Sequence, residues 1–413
     1  MVDQVRQILA GAAKGPRGRF SSFSRQRRRR DFARNAVPIG TSTAGRGPAM
    51  SGPEITVGLS ISVSGRFQLH GQQALHGYLL WQSYINALGG IAFPNGKKRT
   101  VRLIWYDDRS RITWAQNNVL RLLQQDRIDI LLGPYSSSLT MAVAEIAEEY
   151  KKVLWNSGGT SDEIFAHGWR YLVGVASPAS HYLRKLPRWL AEQFPALVRI
   201  CVLYSGKGTF GWRVARGILD SAVAVGHHSV HLVPVNGPWE DHDTLLGLVS
   251  GIAPGVVVLA GSFQGEVSLM RTRSSWPRTV GVVAAIAAGL GDFSAELEQV
   301  ADGVVGPSQW EQGVTFPDML GPGSDWFLDN FQGKFGKAPD YITAGCFATG
   351  LVLSECIQRG SSLDNEKLRD TAANLDCNTF YGRFRIDSRT GIQSGHNALL
   401  IRWQGGRKMV LLS

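Results

Sequence analysis

From Glu54 onward the chain alternates short apolar runs with amphipathic helical stretches, and it does so in two successive series. In the first, EITVGLSISV (54–63) precedes a helical pattern over 71–88, and TVRLIWYDD (100–108) precedes one near 113–125. IDILLG (128–133) then leads into a helix over 138–151, followed by KVLWNS (152–157). The second series begins at VRICVLYS (198–205) and continues through a helix near 211–225 and HSVHLVPV (228–235). A helix near 243–252 comes next, then GVVVLAGS (255–262) and TVGVVAAI (279–286). Short apolar runs bounded by turn residues read as buried strands, and their alternation with helices dictates mostly parallel sheets covered on both faces. The expected class is therefore α/β, and two series imply two lobes. With 413 residues the chain is long enough for two domains with cores of their own.

In such sheets ligands bind beyond the carboxyl ends of the strands, where strand order reverses. The segment LLGPYSSSLT (131–140) sits at such an end. Upstream is a buried strand stopped by Gly133-Pro134; downstream, Leu139, Val143, Ile146, Ala147 and Tyr150 recur at helical spacing. One serine suffices to cap a helix. Ser136, Ser137 and Ser138 supply three hydroxyls where free backbone N–H groups and the helix dipole attract a carbonyl or anionic oxygen. Cap and ligand site both remain open from this stretch alone.

The net charge of +11 suggests nucleic acid until it is located. Eleven of the 44 Lys and Arg fall in residues 1–50 with only two acidic side chains, leaving a net of +2 on the other 363 residues. A nucleic-acid role would rest on the leader alone, and none is expected of the body. Residues 1–53, rich in Arg, Ser, Gly and Pro with RQRRRRDF at 25–32, form a basic leader on which no packed structure should be imposed. A secretory signal needs an uninterrupted apolar stretch, whereas residues 33–50 contain Arg34, Pro38 and Arg46. Arg29-Arg30-Asp31-Phe32 faintly resembles a twin-arginine signal, again without the apolar region. A disordered tail, or a true start at Met50, are the other readings. No apolar run approaches transmembrane length, so no membrane insertion is expected.

Enzymatic signatures are missing. The sequence has no GxxxxGK[ST] loop, no GxGxxG opening a helix after a strand, no GxSxG elbow and no HExxH. The stretch from Ser205 to Thr209 is phosphate-like only in composition. His227, His228 and His231 run into a strand start, where neighbours alternate faces, and read as ordinary surface or satisfied histidines. Asp107 and Asp108 would point to opposite sides of an extended chain, which favours capping or hinge hydrogen bonds over a shared proton. The four cysteines (Cys201, Cys346, Cys356, Cys377) lack metal-ligand spacing, and Cys346 and Cys356 fall on one predicted helix too far apart to bridge. Free buried thiols are expected, with no metal and no cofactor.

Several segments in order resemble the periplasmic substrate-binding proteins of the leucine/isoleucine/valine and amide type. They are SVSGRFQLHGQQALHGYLLWQSYINALGGI (62–91), VRLIWYDDRS (101–110), DILLGPYSSSLTMAVAEIA (129–147), VLWNSGGTSDEIF (153–165), CVLYSGKGTFGWRVARG (201–217), FQGKFGKAPDYITAGCFATG (331–350) and TFYGRFRIDSRTG (379–391). The resemblance spans about residues 54–413. It implies two Rossmann-like lobes with parallel sheets, joined by a three-crossover hinge with the ligand in the interlobe cleft. The crossings are expected near 174–179, 303–310 and 378–386. Lobe 1 would comprise 54–176 plus 309–378, and lobe 2 177–308 plus 379–413.

The resemblance also assigns residues. Ser137 matches the first-lobe serine that holds a ligand carboxylate or amide, with Ser136 capping and supporting it. Gly158 and Thr160 match contacts on the next loop, and His70 falls where relatives place a ligand-wall aromatic. Phe210 replaces the family's usual second-lobe tyrosine, Phe263 takes another cleft-aromatic position, and Trp310 either lines the cleft or braces the hinge. Amino-acid binders of this type carry a second-lobe acid for the ligand's ammonium, but Ala284, Ala285 and Ile286 offer no carboxylate. Unless Glu266 or Asp292 reaches in, an amide, urea-like or plain carboxylate ligand is as open as an amino acid. The role implied is capture of a small molecule for an ABC transporter permease outside the cytoplasm. A cytoplasmic ligand sensor of the same fold is the alternative suggested by the unconvincing signal peptide.

Overall fold

The computed structural model describes residues 54–93, 96–226 and 229–412. The basic leader and the pair His227–His228 lie outside the described residues. In the first sheet, strand Ile55–Ile61 lies between Val101–Asp107 and Ile130–Leu132, with Leu154–Asn156 and Leu172–Gly174 beyond, all parallel. Counted in sequence order, this is the 2-1-3-4-5 arrangement of doubly wound sheets. The second sheet repeats it with Ser229–Val235, Arg199–Ser205, Val256–Ala260, Val282–Ala285 and Val305–Ser308. Two antiparallel strands, Leu399–Gln404 and Arg407–Leu412, extend its far edge. The expected class, α/β with two parallel-sheet lobes, is the observed one, and each expected strand is present with trimmed ends.

Side-chain alternation along a strand explains why the sheets are buried on both faces. Ile130 and Leu132 enter one apolar cluster with Trp81 and Phe347, whereas Leu131 enters another with Val119 and Val143. In the second sheet Cys201 and Leu203 face one cluster, and Ile200 and Val202 the other. Each fully buried Leu, Ile or Val contributes about 1.5–3 kcal/mol relative to exposure. The helices Gln68–Ala87 and Tyr341–Gly360 pack on the same side of the first sheet. Cys346 and Cys356 both lie on the latter helix, and all four cysteines are free thiols, Cys377 half-buried and the others buried. No helix among the described residues is long and apolar enough to cross a membrane.

The chain passes between the sheets three times. It leaves the first after Gly174 and has joined the second lobe's core by Tyr182 and Leu183. It returns between Ser308, at the end of a second-sheet strand, and Trp310, in the first-lobe core. Phe380, Phe384 and Ile386 still pack in that first-lobe core, so the chain rejoins the second sheet only at Leu399, later than the 378–386 expected. The displacement has a simple cause: Cys377–Thr379 and Gly382–Phe384 pair with each other and with Met319–Leu320 in a small sheet of their own.

Buried hydrogen bonds tie the three crossings together. Ser177 N donates to Gln309 Oε1 at 2.6 Å, and Gln309 Nε2 donates to Tyr182 OH at 2.8 Å. Ser177 Oγ and His396 Nδ1 are 2.7 Å apart, and Gln393 Nε2 donates to Val175 O at 2.9 Å. Asp107 and Asp108 act as strand-end ties. Asp107 accepts from Val63 N and Ser64 Oγ, and Asp108 from Ser62 Oγ and Ser110 N, at 2.5–3.1 Å.

Candidate ligand-binding cleft

A cavity of about 480 Å³ lies between the carboxyl ends of the two sheets. That is within the range of small-molecule sites. Each sheet contributes its own reversal of strand order. In the first, the reversal separates Ile55–Ile61 from Ile130–Leu132, and the following turns bring His70, Tyr135, Ser136 and Ser137 to the cavity. In the second it separates Arg199–Ser205 from Val256–Ala260, and the turns deliver Thr209, Phe210, Ser262 and Phe263. The first two crossings supply Tyr182 and Gln309 to the floor, and the first-lobe core supplies Tyr381.

The serine turn divides its labour. Ser136 is the N-cap of helix Ser137–Glu149: its Oγ accepts Leu139 N at 3.3 Å and lies 3.2 Å from Ser138 Oγ. Its φ of +94° is unusual for serine and is held by that cap and by its N–H, which donates to Gly158 O at 3.3 Å. Ser137 Oγ accepts from Thr160 N at 3.2 Å and from Ser161 N at 3.1 Å. With both lone pairs used, its hydroxyl hydrogen is the remaining capacity, a donor on a residue that lines the cavity. Gly158 is where the two loops touch, since a Cβ there would lie 2.4 Å from Pro134 O and 2.8 Å from Tyr135 Cα. Thr160 is buried, and its Oγ1 donates to Tyr182 OH at 3.3 Å.

Aromatic rings form the walls. His70 sits 5.0 Å from the Tyr135 ring and 5.5 Å from that of Phe263, so it bridges the lobes. Phe210 meets Tyr182 edge-on at 5.4 Å. Burial pulls the His70 imidazole down to about 4 from its ordinary 6.5, which keeps it neutral. Its Nε2 is buried without a hydrogen-bond partner.

Of the eight residues expected at the site, His70, Ser136, Ser137, Gly158, Thr160, Phe210 and Phe263 converge on the cavity. Trp310 does not line it. Its ring packs against Phe327 and Phe380 at 5.4 and 5.8 Å, and the neighbouring Gln309 faces the cavity instead. Glu266 does reach in. Its Oε1 accepts Gly261 N at 2.6 Å and its Oε2 accepts Ala287 N at 2.8 Å, which ties together the ends of two strands. Burial outweighs those bonds and pushes its carboxyl up to about 8. Asp292 is engaged by Gln73 Nε2 at 2.7 Å and is not among the lining residues. Sequence reasoning missed Tyr135, Tyr182, Gln309, Tyr341 and Tyr381. Tyr135 stands inside GPYSSS, and Tyr341 and Tyr381 inside quoted segments, so proximity to the matched motifs was the available signal. Among the described residues no group of His, Cys, Asp and Glu could hold a metal ion.

A family model described as periplasmic binding protein matches residues 54–408. Among solved structures, the chain is similar to the leucine binding protein LivK from Thermotoga maritima, at 17% identity over 86% of this chain and 97% of that one, with a TM-score of 0.74. The branched-chain amino acid transporter substrate binding protein LivJ from Streptococcus pneumoniae, solved with isoleucine, is 16% identical over 87% of this chain and all of that one, with a TM-score of 0.73. An ABC transporter solute binding protein from R. palustris, solved with benzoate, is 18% identical over 87% and 96%, with a TM-score of 0.71. At these identities the likeness establishes a shared fold.

Proposed function

Because the chain belongs to the periplasmic binding protein family, we propose that it is the extracytoplasmic solute-binding component of an ABC importer. It closes its lobes on a small amino acid, amide or carboxylate and presents the closed form to a permease. The observation that carries this reading is the Ser137 hydroxyl. It is fixed by two accepted N–H bonds, which leave its hydrogen to be donated, and it lines a cavity of small-solute size together with Phe210 and Phe263 of the other lobe. Neutral donors suit a carboxylate or carbonyl oxygen because they grip it without importing a formal charge. Isoleucine and benzoate, the ligands of two similar proteins, share a carboxylate.

Thermal melting of the full chain against amino acids, amides, ureas and small carboxylates tests the binding half. A true ligand raises the melting temperature in a concentration-dependent way, stabilising by about 2.7 kcal/mol at a hundred times its Kd. Fractionation of producing cells and uptake assays test the transport half. An extracytoplasmic pool, and loss of uptake on deletion, are expected. A wholly cytosolic pool with unimpaired uptake would favour the sensor instead.

A further inference from the structure

Three formally charged side chains, apart from histidine, line the cleft, and two are cations. Arg66 from the first lobe and Lys207 from the second stand exposed at its mouth. The third, Glu266, is wholly buried with each carboxyl oxygen already accepting a backbone N–H. At 1% exposure, with its two oxygens turned onto the backbone N–H groups of Gly261 and Ala287, its carboxyl is spent on tying strand ends together and offers a ligand almost no surface. Among the described residues no other acid lines the cavity, and the turn after strand Val282–Ala285 offers it only Ile286, Ala287 and Leu290. An anion entering this cleft meets two cations and neutral donors; an ammonium would be stripped of water with no anion to receive it.

A second feature narrows the ligand further. His70 is 6% exposed, its Nε2 is unpartnered, and its ring is wedged between Tyr135 and Phe263. That nitrogen is already desolvated, so a ligand hydroxyl or carbonyl brought against it supplies a partner at no further desolvation of the ring, whereas an apolar ligand leaves it as it is. As a neutral imidazole it can donate or accept, depending on tautomer.

Resting on the solute-binding reading above, we infer that the cleft selects a carboxylate without an α-ammonium group. The ligand's flat body lies among Tyr135, Phe210 and Phe263, and its second polar group pairs with His70 Nε2. Hydroxylated aromatic carboxylates are the class that meets all three conditions.

Calorimetric titration of the full chain with matched pairs tests this. The pairs are leucine with 4-methylpentanoate, phenylalanine with 3-phenylpropanoate, and benzoate with its 3- and 4-hydroxy derivatives. Each des-amino acid should bind at least about tenfold more tightly than its amino acid, a difference of about 1.4 kcal/mol. One hydroxybenzoate should outbind benzoate about fivefold or more, and His70→Phe should bring the ratio of the two affinities to about one, whatever it does to benzoate binding itself. Should His70→Phe fail to fold, His70→Gln, which restores a polar atom, should keep part of the preference. An amino acid that binds as tightly as its des-amino partner overturns the inference and leaves the solute-binding reading intact, as does binding of amides alone. A hydroxyl preference that survives His70→Phe, or that His70→Gln leaves at full strength, overturns the assignment to His70. Failure of every compound, amides and ureas included, counts against both readings.

Discussion

Closure of the cleft has a visible latch, and cutting it should weaken binding without touching the ligand. Arg213, in helix Phe210–Ala224 of the second lobe, donates Nε and Nη2 to Glu163 Oε1 at 3.0 and 2.5 Å. Glu163 belongs to the short first-lobe helix Asp162–Phe165. Beside the pair, Ser161 Oγ and Thr209 Oγ1 are 2.7 Å apart across the same gap. The two charged side chains are 31% and 29% exposed, so the pair is neither a screened surface contact nor a buried one. Exposed pairs contribute less than about 1 kcal/mol and hydrogen bonds to charged groups about 1.5–3, which brackets this latch at about 1–2 kcal/mol. Opening the lobes must break it. If the ligand-free protein is mostly open, Arg213→Ala passes the whole loss to the apparent Kd, which should rise about 5–30-fold. Neither side chain belongs to a lobe's core, so the melting temperature of the ligand-free protein should hardly move. Calorimetry reads the Kd, and small-angle scattering at a fixed, sub-saturating ligand concentration should show a larger radius of gyration for the variant than for the parent protein. The effect should shrink as salt rises. Glu163→Gln should behave alike, and the double variant should lose little more than either single one. Unchanged affinity and dimensions in both single variants would refute the latch.

Ser137→Ala removes a cleft donor and also leaves Thr160 N and Ser161 N without their acceptor, so it should cost about 1–3 kcal/mol of binding and about 1–2 kcal/mol of stability. A stability loss with unaltered affinity would reduce the serine to a loop brace. Trp310→Ala should destabilise the fold by about 3–5 kcal/mol in urea, with the affinity of the folded protein nearly unchanged. A large affinity loss at native stability would contradict its placement in the core. The pH profile should fall on both sides. His70, His76, His181 and His396 are each pulled from 6.5 to about 4 by burial. The unfolded chain therefore takes up protons first, and stability is lost as pH falls from 6.5 through 4. Glu266 is raised from 4.5 to about 8, so the unfolded chain releases its proton first and stability is lost as pH rises across that span. Urea unfolding between pH 6 and 8 should show a shallower decline for Glu266→Gln; identical slopes would refute the assignment.

The lobes were legible because their strands are apolar on both faces, which turns each into a compact block such as IDILLG or GVVVLAGS. Other strands broke that rule. Leu172–Gly174 spans three residues, and Val305–Ser308 carries Gly306 and Pro307. The C-terminal hairpin did leave a signal that went unread. Gly405 and Gly406, with φ of +55° and +71°, form a two-residue turn of the kind that demands glycine between paired strands. At the site, residues adjoining strand ends could be found because a local motif marks each. The tyrosines that line the cavity come from distant segments, and only the folded chain brings Tyr135, Tyr182, Tyr341 and Tyr381 together. Trp310 was ambiguous for the opposite reason. It adjoins a crossing in sequence, and neighbours on an extended segment face opposite ways, so Gln309 takes the cleft and Trp310 the core.

That alternation puts hinge and cleft on one side chain. Gln309 Oε1 accepts Ser177 N from the first crossing and Tyr381 OH at 3.2 Å, while Nε2 donates to Tyr182 OH. Tyr182, Gln309 and Tyr381 all line the cavity. Each therefore belongs both to the hydrogen-bonded cluster at the crossings and to the lining of the cavity. Rotation of the lobes changes the mutual positions of the crossings, and these short buried bonds respond to it. A ligand oxygen that competes for either tyrosine hydroxyl acts on the same atoms. Since a ligand shifts a conformational equilibrium only by its difference in affinity for the two states, atoms common to pocket and hinge are where such a difference can arise. The latch between Glu163 and Arg213 lies outside this floor. If the lobes close on a solute as proposed, the latch would set how far closure is favoured in general, and the Gln309 cluster would let closure depend on what has been bound.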